Sequence, residues 1–266
     1  MKIAVIGAGA MGLAFMRSWI ESSIQSAENL IIIDKAAQRR EIIKSELGVL
    51  PEQDLARIKE AQLIFIAVKP QDFSVLAEEL NAVINQQQLI VSIMAGISLS
   101  KLSQSLNGHT RLARVMPNLP IIISSGICAY YADPSLEPVA LNILEQLLKA
   151  GGEVLRFDDE NLLNAVTAIS GSGPGYIFYF LNILSQICAE FGFTEEQSRA
   201  LISKTINGSV ELWNKDSRSP HELCELVTSK GGTTEAALSH FDSNQIGKIL
   251  SDAIKKAKDR AEELAA

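Results

Sequence analysis

Chemistry of a specific kind is suggested by Gly7, Gly9 and Gly12, which stand in G-x-G-x-x-G spacing within Ile6-Gly7-Ala8-Gly9-Ala10-Met11-Gly12. In that spacing the first glycine permits a tight turn, and the second lets backbone approach a pyrophosphate. The third lets a helix pack close to the preceding strand. A helix over about Ala10 to Glu21 aims its free N–H groups and positive dipole end at the phosphates, so Ala10 and Met11 join the glycines as cofactor contacts. Asp34 ends the apolar run Leu30-Ile31-Ile32-Ile33. It lies about twenty residues past the last glycine, where a dinucleotide site places the carboxylate that holds the adenosine ribose. Alone, the glycine pattern also fits an ordinary strand-to-helix turn; the flanking strand and Asp34 favour the nucleotide.

Two glycine–hydroxyl stretches, Ser170 to Gly175 and Thr228 to Thr234, offer free backbone N–H groups beside small hydroxyls. Such a combination suits a carboxylate or phosphate oxygen. Either stretch by itself reads as a helix connector, but two of them beside a dinucleotide crevice favour an anion-binding substrate site. Acid–base machinery is sparse. His109 falls in a predicted loop, His221 in a first helical turn and His240 near a helix end, none of them in a glycine- or hydroxyl-rich setting. No metal-ligand cluster and no Ser-His-Asp arrangement is expected. A reductase whose substrate arrives activated, such as a protonated imine, needs chiefly positioning and electrostatics.

The elements that must position these groups alternate in type. Ile3–Ile6, Leu30–Ile33, Gln62–Val68 and Leu89–Ile93 are near-continuous apolar runs, as buried strands of a parallel sheet require. Helices are predicted between them, over Ala36–Leu47 and, after Lys69-Pro70, through Phe73, Leu76, Leu80 and Ile84 at helical spacing. The pattern predicts a parallel, doubly wound sheet whose ligand crevice lies at the carboxyl ends of its strands. Gly7–Gly12, Asp34, Ala67–Pro70 and Met94–Gly96 all fall there. Leu112–Val115 runs into Met116-Pro117-Asn118-Leu119-Pro120, a stiff turn that either projects the Asn118 amide into the crevice or merely connects. Ile121–Tyr131 reads as extended segments, Glu137–Leu148 as a helix and Glu153–Phe157 as the last strand.

Beyond Phe157 every signal is helical, so the expected division is a dinucleotide-binding domain over 1–157 and a helical domain over 158–266. Thr194 with Gln197, and Ser219 with Glu222, match capping boxes. The helix Tyr176–Phe191 is apolar around most of its circumference and must be buried on all sides. The helical residues alone can hardly enclose it, which predicts a dimer interface.

Composition excludes several classes. The net charge of −7, with scattered basic residues and Arg39-Arg40 the only adjacent arginines, is no nucleic-acid footprint. Cys128, Cys188 and Cys224 lack any CxxC pattern and read as reduced thiols of a cytoplasmic protein. The N-terminal apolar run is too short for a signal peptide, and Tyr176–Ala189 is too short and too polar to span a bilayer, so no membrane partner is expected.

These residues together resemble the pyrroline-5-carboxylate reductase family over the full length. The resemblance is carried by IGAGAMG at 6–12, AVKPQ at 67–71, SIMAGIS at 92–98, MPNLP at 116–120, SGSGPGYIF at 170–178 and VTSKGGTT at 227–234. It implies a Rossmann domain followed by an all-α dimerisation domain that interlocks with its partner, in dimers that often assemble further. It implies hydride transfer from the nicotinamide C4 of NADPH or NADH to the C=N carbon of Δ1-pyrroline-5-carboxylate, giving L-proline. Carried over, Ser229, Gly231, Gly232 and Thr233 cradle the substrate carboxylate, and Thr234 bonds the ring nitrogen and relays its proton. Val68, Lys69 and Pro70 contact the cofactor, Ala95 and Gly96 lie near the nicotinamide, and Asn118 lies beside it.

The sequence departs from the family pattern at Leu119, where threonine is common, at Lys230, where proline is usual, and at Gly175, commonly alanine. Asp34 stands where many members have a small or polar residue. A carboxylate accepts hydrogen bonds from a ribose diol and repels a 2′-phosphate, so Asp34 favours NADH, whereas Arg39 or Arg40 reaching back would admit NADPH. Two other functions remain open at this stage: reduction of a different cyclic imine acid, and nucleotide sensing without catalysis. The intact Ser229/Gly231/Gly232/Thr234 set argues against the second.

Overall fold

A computed structural model describes residues 1–265. Its sheet is built from β1 (Ile3–Ile6), β2 (Leu30–Ile33), β3 (Leu63–Ile66), β4 (Leu89–Ser92), β5 (Leu112–Pro117), β6 (Gly126–Ala132) and β7 (Gly152–Arg156). The strand order is β2-β1-β3-β4-β5-β6-β7. The first four strands are fully buried along their length, because helices cover both sheet faces and leave no face for polar alternation.

The covering helices are α1 (Ala10–Glu21), α2 (Ala37–Leu47), α3 (Phe73–Leu80), α4 (Leu99–Ser105), α5 (Pro138–Lys149) and α6 (Leu162–Val166). Helix α1 begins and ends where the sequence places it. Its Phe15 and Trp19 meet Phe65 of β3 edge-on, with ring centroids 4.9 and 5.2 Å away. The buried indole of Trp19 donates to the carbonyl of Leu147 on α5 at 2.8 Å. Such pairs add roughly 0.5–1.5 kcal/mol beyond the area they bury, and they fix α1 rigidly against the sheet.

Two expectations are corrected in detail. The sheet is not wholly parallel, since β5 and β6 run antiparallel. The connection between them is a short 3₁₀ turn over Leu119–Ile123, and a parallel return would need a crossover of a dozen or more residues. That same turn replaces the extended segment expected from Ile121 onward, because Pro120 sits in its first turn and Ser124 closes it in left-handed backbone. By compactness alone, the chain's first unit runs from Met1 to Pro174 and also takes in the chain from Ala257 onward. Helix α6 and a π-helical turn over Thr167–Gly171 pack on β5 and β6, which is why the unit extends so far.

The second unit, Gly175–Lys256, is helical. It contains most of α7 (Gly173–Glu190), all of α8 (Glu195–Lys215), α9 (Pro220–Leu226) and α10 (Thr233–Ser243), and the start of α11 (Ile246–Ala265). Both capping boxes form: Thr194 exchanges hydrogen bonds with Gln197, and Ser219 with Glu222. Helix α7 has no buried residue in the single chain, and Ile177, Phe178, Tyr179, Leu184 and Ile187 are exposed on it. One copy of the chain leaves this helix uncovered, as the expectation of a dimer interface requires. An exposed apolar face of that extent marks a protein–protein surface. Among the described residues no helix is long and apolar enough to cross a membrane.

Candidate active site

The glycine loop is built as its spacing requires. Gly7 has φ +92°, and a side chain there would lie 2.8 Å from the Ala67 backbone at the end of β3. A side chain on Gly12 would overlap the Gly7 carbonyl. Around Gly9 the space is open, with nothing within 4 Å of a side-chain position. Two of the glycines are thus demanded by the protein's own packing and the third is not. What Gly9 leaves room for lies outside the chain, directly before α1, whose first N–H groups, those of Ala10, Met11 and Gly12, have no intrahelical acceptor. This arrangement fits the pyrophosphate of a dinucleotide.

Asp34 follows β2 beside that loop. Its Oδ2 accepts from the Ala8 N–H and its Oδ1 from the Ala36 N–H, both at 2.8 Å. The carboxylate thereby ties the glycine loop to the β2–α2 turn, and each oxygen retains capacity for a further donor such as a ribose hydroxyl. Arg40 does reach back: its Nη1 donates to the Asp34 and Lys35 carbonyls, each at 2.9 Å, so a guanidinium stands at the same corner. Arg39 is exposed. Val68 and Lys69 follow β3, Lys69 in extended backbone, and Pro70 opens the 3₁₀ turn that leads into α3.

Ala95 and Gly96 form the turn after β4. The Ser92 hydroxyl accepts from the Met94 N–H at 3.2 Å, and Gly96 has φ +76°. A side chain on Gly96 would lie 2.8 Å from Leu264, so the end of α11 rests on this turn. Asn118 is held by two contacts. Its Oδ1 accepts from the Ile127 N–H at 2.9 Å, and its Nδ2 faces the Ser170 hydroxyl at 3.4 Å. The amide closes the β5–β6 connection and meets the first hydroxyl of the Ser170–Gly175 stretch.

In the second unit, Ser229 to Thr234 form the turn that opens α10. Gly231 has φ +71°, and a side chain on Gly232 would press against the Ser229 hydroxyl. The Gly232 N–H donates to the Ser229 carbonyl at 2.9 Å. The Gly231 N–H donates to Glu235 Oε2 at 2.6 Å, an acceptor that the spacing did not single out. The amides without an intrahelical acceptor are those of Thr233, Thr234 and Glu235 in the first turn of α10. Gly231 and Gly232 shape the turn rather than supply its free donors.

Comparison with known proteins agrees with both halves. Residues 160–264 match the family model described as pyrroline-5-carboxylate reductase dimerisation, and residues 2–96 match NADP oxidoreductase, coenzyme F420-dependent. The pyrroline-5-carboxylate reductase of Pseudomonas aeruginosa is 32% identical over 99% of this chain and 97% of its own. The chain belongs to the pyrroline-5-carboxylate reductase family. The 1-pyrroline-5-carboxylate reductase structure from Streptococcus pyogenes superposes with a TM-score of 0.89 at 27% identity, over 99% of this chain and 98% of that one. The Plasmodium falciparum pyrroline carboxylate reductase, solved with NADP bound, shares the fold at a TM-score of 0.92 and 23% identity, over 100% of this chain and 98% of that one. In the family's terms the first unit is the Rossmann-like half, and the exposed face of α7 lies within the matched dimerisation segment.

Proposed function

We propose that this chain reduces L-Δ1-pyrroline-5-carboxylate to L-proline with NADPH or NADH, the last step of proline biosynthesis. The observation that carries the reading is the glycine loop, open at Gly9 alone, in a family member whose second unit presents a hydroxyl-lined helix start. Bound NAD(P)H supplies a hydride to the C=N carbon of the ring, and the ring nitrogen ends with the proton of a secondary amine. The chain's own residues position and neutralise. Gly7, Gly9, Ala10, Met11 and Gly12 hold the pyrophosphate, Asp34 the adenosine ribose, and Val68, Lys69 and Pro70 flank the same cleft. Ala95, Gly96 and Asn118 serve the nicotinamide end.

The substrate carboxylate rests on the turn of Ser229, Gly231, Gly232 and Thr233, with the Thr233 and Thr234 amides and the dipole of α10 offsetting its charge. The Thr234 hydroxyl is the catalytic group, holding the ring nitrogen and relaying its proton. In functional terms residues 1–157 bind the dinucleotide and residues 158–266 bind substrate and dimerise. The homodimer forms through the helical part, which covers the α7 face, and dimers associate further. We place the protein in the cytoplasm, where its reduced thiols and its cofactor are both maintained.

Oxidation of NADH and NADPH by the purified chain, with and without racemic Δ1-pyrroline-5-carboxylate, tests this reading. Rapid substrate-dependent oxidation is expected, faster than with the six-membered imine acid. Binding of both cofactors without oxidation of either would contradict the proposed substrate.

A further inference from the structure

A largely buried charge pair reaches the start of α4, the helix that follows the turn carrying Ala95 and Gly96. Arg114, on β5, is almost wholly enclosed, with its side chain 4% exposed, and Glu160, just before α6, is 21% exposed. Glu160 Oε1 accepts from Arg114 Nη1 at 3.2 Å and, at 2.8 Å, from the backbone N–H of Leu99. Arg114 Nη2 donates to Asn164 Oδ1 on α6 at 2.8 Å. Leu99 opens α4, the first helical residue after the Met94–Ser98 turn, and its amide has no partner within the helix. The Ser98 hydroxyl already caps the Lys101 amide, so the start of α4 is pinned at two points, one local and one from a distant part of the chain.

An isolated ion pair in the interior gains little stability over apolar side chains of the same volume, so its presence asks for another reason. The geometry supplies one. The pair joins three things: the end of the β4–α4 turn, strand β5 as it runs toward Asn118, and helix α6. The π-helical turn that follows α6 carries Ser170, which meets Asn118. Through Leu99, three residues past Gly96, and through α6, which leads to Ser170, the pair is linked along the chain to the groups assigned to the nicotinamide end, and none of its contacts includes a group assigned to the pyrophosphate.

We infer that Glu160, oriented by Arg114, is a positioning residue that sets the height of the Ala95–Gly96 turn and hence the seating of the nicotinamide half of the cofactor. The inference rests on the proposal that this turn lies at the nicotinamide. A carboxylate one methylene shorter keeps the charge opposite Arg114 and withdraws from the Leu99 amide.

The test is calorimetric binding to the full-length protein, comparing NADPH with 2′-phospho-ADP-ribose, which lacks the nicotinamide. In Glu160→Asp the dissociation constant for NADPH is expected to rise about tenfold, and that for the truncated ligand to change by less than about twofold, as a sub-ångström misplacement at one end would produce. Equal weakening of both ligands, or of neither, overturns the inference. Should Glu160→Asp fail to fold, Arg114→Met combined with Glu160→Gln removes the charges and keeps an acceptor for Leu99. It is expected to retain the wild-type ratio of the two affinities, and a lost ratio overturns the inference. Ala95→Phe separates the inference from the reading beneath it. If that substitution leaves NADPH binding untouched, the turn is not at the nicotinamide; if it weakens NADPH and Glu160→Asp does not, only the role of Glu160 falls.

Discussion

Replacing Asp34 by serine should move the enzyme away from NADH and toward NADPH, and the structure allows the size of the shift to be worked out. The carboxylate sits between the Ala8 and Ala36 amides at the corner where the adenosine ribose is proposed to bind. A hydrogen bond from a ribose hydroxyl to a carboxylate contributes about 1.5–3 kcal/mol, which NADH loses in the variant. A 2′-phosphate carries about −1.5 to −2 charges, and at about 6 Å with an effective dielectric of about 40 its repulsion by Asp34 is about 2 kcal/mol. NADPH is relieved of that term, and the Arg40 guanidinium at the same corner is left to face the phosphate alone. Together the two effects, about 3.5–5 kcal/mol, shift the ratio of kcat/KM values by about 300-fold to several thousand-fold in favour of NADPH. Serine can replace only one of the two acceptor contacts, so a stability loss of about 1–3 kcal/mol accompanies the change. Initial rates with each cofactor at saturating imine, and a thermal melt of the same preparation, supply all the quantities. An unchanged NADH/NADPH ratio would refute the reasoning, whatever the melt showed.

Other outcomes follow from the same geometry. Gly9→Ala should melt like the wild type, since nothing in the chain meets its new methyl group, yet bind either cofactor at least about tenfold more weakly through crowding of the pyrophosphate. Gly12→Ala should lower the melting temperature as well, because its methyl group meets the Gly7 carbonyl. His109 is fully buried and donates its Nε2–H to the Gln88 carbonyl, leaving Nδ1 without a partner. Burial, chiefly, together with the nearby Arg111 charge pushes its pKa below the usual 6.5. The neutral form is favoured in the fold, so stability is full above about pH 6.5 and falls below it by up to about 1.4 kcal/mol per pH unit. Urea melts across pH 5–7 on the wild type and on His109→Gln should show that slope only in the wild type. Glu235→Gln keeps an acceptor for the Gly231 amide and removes a negative charge beside the proposed carboxylate site. Its KM for the imino acid should fall about threefold to tenfold, and a rise in KM would show that the charge serves the turn rather than opposing the substrate.

Much of the fold was legible because burial forces simple patterns. Strands β1 to β4 are enclosed on both faces, so their sequences are unbroken apolar runs, and the glycines that punctuate them stand where backbone meets backbone. Both capping boxes formed because such pairs are decided within four residues of chain. The failures have the opposite character. Helix α4 is only seven residues long with two buried leucines, too short to show a period. The β-branched run Ile121-Ile122-Ile123 reads as a strand, and Pro120 turns it into a 3₁₀ segment instead. The hydrogen-bond partners of the Asn118, Gly231 and Leu99 groups lie elsewhere in the chain or on a neighbouring turn, and no local pattern announces them. The exposed face of α7 was legible: its apolar circumference demands burial that one copy of the chain does not provide, and the chain's match to a dimerisation family model agrees.

The central claim is that this chain delivers a hydride to the C=N carbon of a five-membered imine acid. The most direct measurement supplies NADPH deuterated at the transferred position of C4, together with Δ1-pyrroline-5-carboxylate, and locates the label in the product by NMR. Deuterium at C5 of L-proline, one atom per cofactor oxidised, is the predicted result. Cofactor oxidation with no label in proline, or no oxidation at all with this substrate, would contradict it.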